Sequence, residues 1–107
     1  METVPQILIV DDNRTSRLIA AKALAQLGCA STEVASGHAA LDIMKQRSFD
    51  LVLLDIEMPD VSGIEVLRQL RSLQNRMDTP VLVISGLGSN MDVVVSAIEL
   101  GAADFLP

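Results

Sequence analysis

Two short apolar runs, Ile7-Leu8-Ile9-Val10 and Leu51-Val52-Leu53-Leu54, each lead straight into aspartate. Unbroken apolar runs of this length, bounded by polar residues, predict strands buried on both faces, the pattern of a parallel sheet. The second run is expected as a central strand over 50–54, with Asp55 where it meets solvent at its carboxyl end. A third run, 81–84, follows Pro80, which has no amide to donate and therefore belongs at a strand start. Between these runs the spacing turns helical. Asn13 can cap a helix reaching Gln26 or Leu27, with Ile19, Ala23, Leu24 and Leu27 on one face and Gly28 in the C′ position. Residues 30–35 form a weaker, more polar strand suited to a sheet edge. Ser36 or Gly37 opens a second helix that carries Ala40, Leu41 and Met44 inward.

Beyond Pro59, the turn-rich Asp60-Val61-Ser62-Gly63 precedes a helix to about Leu73, with Ile64, Leu67 and Leu70 at apolar spacing. Residues 75–79 read as a loop. Ser89 or Asn90 caps a fourth helix to about Leu100, closed by Gly101. Its Val93-Val94-Val95 run has poor helix propensity and predicts a marginal helix. A fifth strand begins over 102–106. Strands alternating with helices imply one α/β domain, a parallel sheet with right-handed crossovers and helices on both faces.

Composition narrows the function. The 107 residues suffice for one core, and they show no linker or solenoid repeat. Half are apolar, yet no run approaches the ~20 residues of a membrane span, and no signal peptide opens the chain, so a cytoplasmic location is expected. Eight basic against fourteen acidic residues, a net charge of −6, disfavour direct nucleic-acid binding. Two aromatics offer no base-stacking surface. The lone Cys29 excludes an internal disulfide or a cysteine metal cluster, and reads as a buried, inert thiol.

The chemistry collects at strand ends. Asp11, Asp12 and Asp55 close two strands that are neighbours in such a sheet, and Ser85 closes another. Acids at strand ends are often only turn formers or caps; three together with a hydroxyl are harder to explain that way. Carboxylates this close repel one another unless a cation compensates. Hard oxygen ligands in small number suit Mg²⁺, which keeps several waters and accepts a phosphate oxygen. The pattern describes a metal-assisted phosphoryl site with Asp55 as nucleophile. Arg14 and Arg17 start the first helix near these acids, where either could brush the site, although such residues are more often only a solvated face. His38, on the second helix, reads as an exposed structural residue rather than a ligand.

Taken in order, Asp11-Asp12, Asp55, Met58-Pro59, Gly63, Ser85-Gly86 and Gly101-Ala102-Ala103-Asp104-Phe105 resemble the CheY-like receiver domain of two-component response regulators, over all 107 residues. The resemblance implies a flavodoxin-like, five-stranded sheet of order 2-1-3-4-5. It implies that Asp55 accepts a phosphoryl group from a phosphohistidine on a sensor histidine kinase or a histidine phosphotransfer protein. Mg²⁺ or Mn²⁺ would be held by Asp12, Asp55 and the Glu57 backbone carbonyl, with Asp11 acting directly or through water. Ser85, with Gly86 beside it, would bond a phosphoryl oxygen, Phe105 would turn inward on activation, and Glu57 and Leu87 would modulate the site. Such a module is a switch with slow self-dephosphorylation, not a turnover enzyme.

The family's lysine, in a Lys-Pro pair, would fall immediately after Pro107, and its fifth helix would follow. The expectation is therefore a C-terminally incomplete receiver, continued by that helix and by any effector domain, or else covered by a second copy in a homodimer. Two other readings compete. A haloacid-dehalogenase-like phosphatase also uses a strand-end aspartate and Mg²⁺, but carries its Asp-x-Asp on the first strand. A phosphorylation-independent pseudo-receiver would be expected to have lost its acids, which here are complete.

Overall fold

A computed structural model describes residues 4–55, 58–73 and 79–84. Seven elements follow in strict alternation: β1 (Gln6–Val10), α1 (Arg14–Gln26), β2 (Ala30–Val34), α2 (Gly37–Gln46), β3 (Leu51–Asp55), α3 (Gly63–Ser72) and β4 (Val81–Ile84). All the pairings are parallel, and the sheet order is β2-β1-β3-β4. This is the flavodoxin-like α/β arrangement. The expected fourth helix and fifth strand lie outside the described residues.

The two apolar runs are buried on both faces because alternate residues point to opposite sides of the pleat. Leu8, Val10, Val52 and Leu54 pack with Ala40, Leu41 and Met44 of α2 and with Val66 and Leu70 of α3. Ile7, Ile9, Leu51 and Leu53 pack on the other side with Ala20 and Leu24 of α1 and with Cys29. The edge strand β2 is only partly buried, as its polar sequence requires. No helix among the described residues is long and apolar enough to cross a membrane.

The helix starts follow their capping residues. Asn13, Ser36 and Ser62 each accept a hydrogen bond from the backbone N–H three residues on, satisfying a donor that the first turn leaves free. Leu27 ends α1, and Gly28 follows at φ 80°, the left-handed conformation that stops a helix. At Asp50 the chain ties β1 to the entry of β3: its N–H donates to the Gln6 carbonyl, and its carboxylate accepts from the Gln6 N–H at 2.7 Å.

Three expectations need correction. Ile19 does not face the core; it is 46% exposed, and Ala20 takes its place beside Leu24. Alanine lets α1 lie close to the sheet, and at ~100° per residue this turns Ile19 outward. The central strand runs 51–55 rather than 50–54, so Asp55 is its last residue, pairs with Ile84 and is buried instead of meeting solvent. In α3, Val66 is buried with Leu70 and Leu67 is only partly so.

The start of α2 is tightly packed. A Cβ at Gly37 would lie 2.8 Å from Val66 Cγ2 and 2.9 Å from Val61 Cβ, closer than real Cβ contacts. At Gly28 the space is open, and only the positive φ opposes a side chain. Gly37→Ala should therefore cost about 1–3 kcal/mol, as overpacking does, and Gly28→Ala about 1–2 kcal/mol from conformation alone. Urea denaturation of both variants checks this. A Gly37→Ala protein as stable as wild type would show that α2 and α3 are loosely joined.

Candidate functional site

Parallel pairing explains how the acids meet. Ile7 is opposite Leu51, Ile9 opposite Leu53 and Val10 opposite Leu54. One step further, the same register sets Asp11 beside Asp55, on the face shared by Ile7, Ile9, Leu51 and Leu53. Asp12 follows at the same carboxyl edge of the sheet, where ligands bind in open α/β folds. One carboxylate oxygen from each of Asp11, Asp12 and Asp55 lies within 4.8 Å of the others. Asp11 and Asp55 are buried, whereas Asp12 is exposed, which leaves the cluster open to solvent on one side.

Asp11 is firmly held. Its N–H donates to the Val34 carbonyl at 3.2 Å, and its Oδ1 accepts from the Asn13 N–H at 2.9 Å. Its carbonyl accepts from Arg17 Nη1 at 2.8 Å, and Arg17 Nε lies 3.5 Å from Glu33 Oε1. Burial pushes the Asp11 carboxyl above its ordinary value, the Asn13 N–H opposes this, and the negative charges of Asp55 and Asp12 add to the rise. A divalent cation would remove this repulsion, and a compact set of carboxylate oxygens suits a hard cation.

A further acid behaves differently. Asp60, in the segment before α3, accepts from the Gly37 and His38 N–H groups, and its Oδ2 lies 3.0 Å from His38 Nδ1. The backbone N–H of His38 is the main reason its carboxyl falls to about 2, although partial burial works against the fall; the N–H groups of Val61 and Gly37 assist. Asp60 fastens the start of α2 and stands apart from the acid cluster. His38 is exposed, as its position on the second helix led one to expect, and Asp60 is its partner.

The expected site residues Asp11, Asp12 and Asp55 are thus brought together. Glu57, Ser85, Gly86, Leu87 and Phe105 lie outside the described residues. Arg14 is exposed, but Arg17 is not merely a solvated face: its guanidinium reaches back to Asp11. The only cue in the sequence was a cation placed one turn into the helix that follows the acids.

Residues 7–107 match the family profile described as the response regulator receiver domain. The transcriptional regulatory protein CpxR of Escherichia coli is 38% identical over 102 residues, covering 95% of this chain and 42% of CpxR. The DNA-binding transcriptional regulator NtrC of Klebsiella pneumoniae is 35% identical over 99 residues, covering 92% of this chain and 20% of NtrC. The chain therefore spans less than half the length of these relatives. Among solved structures, the response regulator TrrA of Thermotoga maritima in complex with Mg²⁺ and BeF superimposes with a TM-score of 0.73 at 29% identity, covering 87% of this chain and 79% of TrrA.

The raised Asp11 value has a defined sign. A buried carboxyl that ionises less readily when folded costs stability above its folded pKa, and this cost vanishes below the ordinary value of 3.8. Asp11→Asn keeps an oxygen for the Asn13 N–H and removes the charge. Without divalent cations it should raise the melting temperature at pH 7, by a margin that shrinks as pH falls toward 3.8. Thermal scans in chelator across this range check it, and an unchanged or lowered Tm at pH 7 would show that the acids do not strain one another.

Proposed function

Because the chain belongs to the response regulator receiver domain family of two-component signalling, we propose that it is a phosphorylation-controlled switch with Asp55 as its phosphoacceptor. The convergence of Asp11, Asp12 and Asp55 at the carboxyl edge of the sheet carries this reading. An Asp55 carboxylate oxygen attacks the phosphorus of a phosphohistidine on a sensor kinase or a histidine phosphotransfer protein. The phosphorus–nitrogen bond breaks, the imidazole keeps the electron pair and takes up a proton, and Asp55 carries an acyl phosphate.

The chain's own residues prepare this step. β3 ends at Asp55 and holds its backbone in the sheet through the pairing with Ile84. Asp12, the exposed member, and Asp55 would hold Mg²⁺ or Mn²⁺ together with the Glu57 carbonyl, with Asp11 contributing directly or through water. When bound, the cation supplies positive charge against both the carboxylates and the incoming phosphoryl oxygens. Ser85 would donate to one of those oxygens, with Gly86 giving room, and Phe105 would carry the change outward. Glu57 and Leu87 would tune the lifetime of the acyl phosphate. CpxR and NtrC are transcriptional regulators, and a transcriptional output, read by an effector segment in a longer polypeptide, fits the same proposal, as does a cytoplasmic location.

Incubation with acetyl phosphate and Mg²⁺, followed by intact-mass analysis, tests the assignment. The wild-type protein should gain a single phosphoryl group and Asp55→Asn none; uptake by Asp55→Asn would move the acceptor elsewhere. Asp12→Ala should weaken Mg²⁺ binding by about tenfold or more, or about 1.4 kcal/mol. Asp42→Ala, an exposed acid on α2, should leave it nearly unchanged. Equal losses in titration calorimetry would mean that the cation responds to diffuse charge and not to these ligands.

A further inference from the structure

Arg17 makes two contacts that a solvated surface cation does not need. Its side chain is only 16% exposed, Nη1 donates to the Asp11 carbonyl at 2.8 Å, and Nε faces Glu33 of β2 at 3.5 Å. The Asp11 carbonyl belongs to the peptide plane that continues into the Asp12 nitrogen. A donor fixed on that oxygen therefore sets the tilt of the plane joining the two acids. The Asp11 N–H is already tied to Val34, and the Asp11 side chain to Asn13. Arg17 supplies the hold on the remaining side, just before the exposed Asp12. Glu33 lies opposite Ile9 in the β1–β2 register, so the guanidinium is braced against the neighbouring strand.

We infer that Arg17 is a positioning residue for the acid cluster: by gripping the Asp11 carbonyl and bracing on Glu33, it sets the turn that presents Asp11 and Asp12 to a divalent cation. The inference rests on the reading of these acids as the metal site of a receiver. The guanidinium suits the task because its planar fork offers Nη1 and Nε in different directions at once, which a lysine ammonium on a flexible stem does not reproduce. Electrostatics alone predicts the opposite effect. A fixed positive charge beside a cation site repels the cation, so removing Arg17 on charge grounds would tighten binding. The sign of the change thus separates the two roles.

The test is Mg²⁺ titration calorimetry on the full-length protein, for wild type, Asp12→Ala, Arg17→Met, Arg17→Lys and Glu33→Gln. Circular dichroism confirms that each variant is folded, and NMR follows the backbone amides of Asp12 and Asn13. Supporting residues of a metal site typically change its affinity ~10–100-fold. Arg17→Met and Arg17→Lys should each weaken Mg²⁺ binding by about tenfold or more on that basis, and shift the Asp12 and Asn13 amides while those of β3 stay in place. Glu33→Gln should weaken binding less. Should Arg17→Met fail to fold, Arg17→Lys and Glu33→Gln decide. Tighter binding in Arg17→Met with wild-type affinity in Arg17→Lys would reduce the residue to its charge and overturn the inference. Wild-type affinity in every folded Arg17 and Glu33 variant, with Asp12→Ala weakened, would overturn it as well. Mg²⁺ binding that Asp12→Ala leaves intact would instead sink the receiver-site reading itself.

Discussion

Side-by-side pairing of β1 and β3 governs both the core and the site. Each strand is almost wholly apolar, and with helices on both faces of the sheet neither strand has a solvent side. The register that sets Val10 opposite Leu54 fills both cores and, in the same act, brings the following acids together. A slip of one residue would send every side chain of β3 to the other face, placing Leu51 and Leu53 among the partners of α2 and α3 and turning Asp55 away from Asp11. Hydrophobic packing thus enforces an arrangement that electrostatics alone resists.

Two aspartates show how environment divides one residue type into two roles. Asp60 collects backbone N–H groups at the start of α2, and its charge is welcome there. Asp11, buried beside Asp55 and near Asp12, receives one N–H among the described residues, that of Asn13, and its charge is opposed. The first arrangement serves as a structural fastening. The second gathers negative charge at the carboxyl edge of the sheet, an arrangement that a hard cation suits.

Much of this was readable from the residues alone. The apolar runs, the caps Asn13, Ser36 and Ser62, the stop at Gly28 and the clustering of Asp11, Asp12 and Asp55 all depend on local pattern or on the regular pitch of a parallel sheet. What pattern could not supply was rotation and reach. The α1 sequence mixes leucine, isoleucine and alanine around much of its circumference, so size favoured Ile19 as a core residue where close approach selected Ala20. Likewise, nothing in the order of residues says that Arg17 turns back toward Asp11 rather than out to water, or that Asp60 crosses to α2. Those outcomes follow from the spacing between elements that are distant in sequence. Asp55 likewise lies one residue deeper than the end of the apolar run suggests, because the strand continues through it to pair with Ile84.

Gly37, Val61 and Val66 meet where α2, the segment before α3, and α3 converge, with no room for another carbon atom. Their fates in descent are therefore joined. A side chain gained at position 37 would press on Val66 through Cγ2, which a smaller residue there removes, and on Val61 through Cβ, which every residue but glycine keeps, so shortening Val66 relieves only one of the two close contacts. Neutral drift along this chain is thus not a walk over independent positions. At this corner it passes through a narrow set of ordered paths, and the order in which changes arrive decides which of them survive.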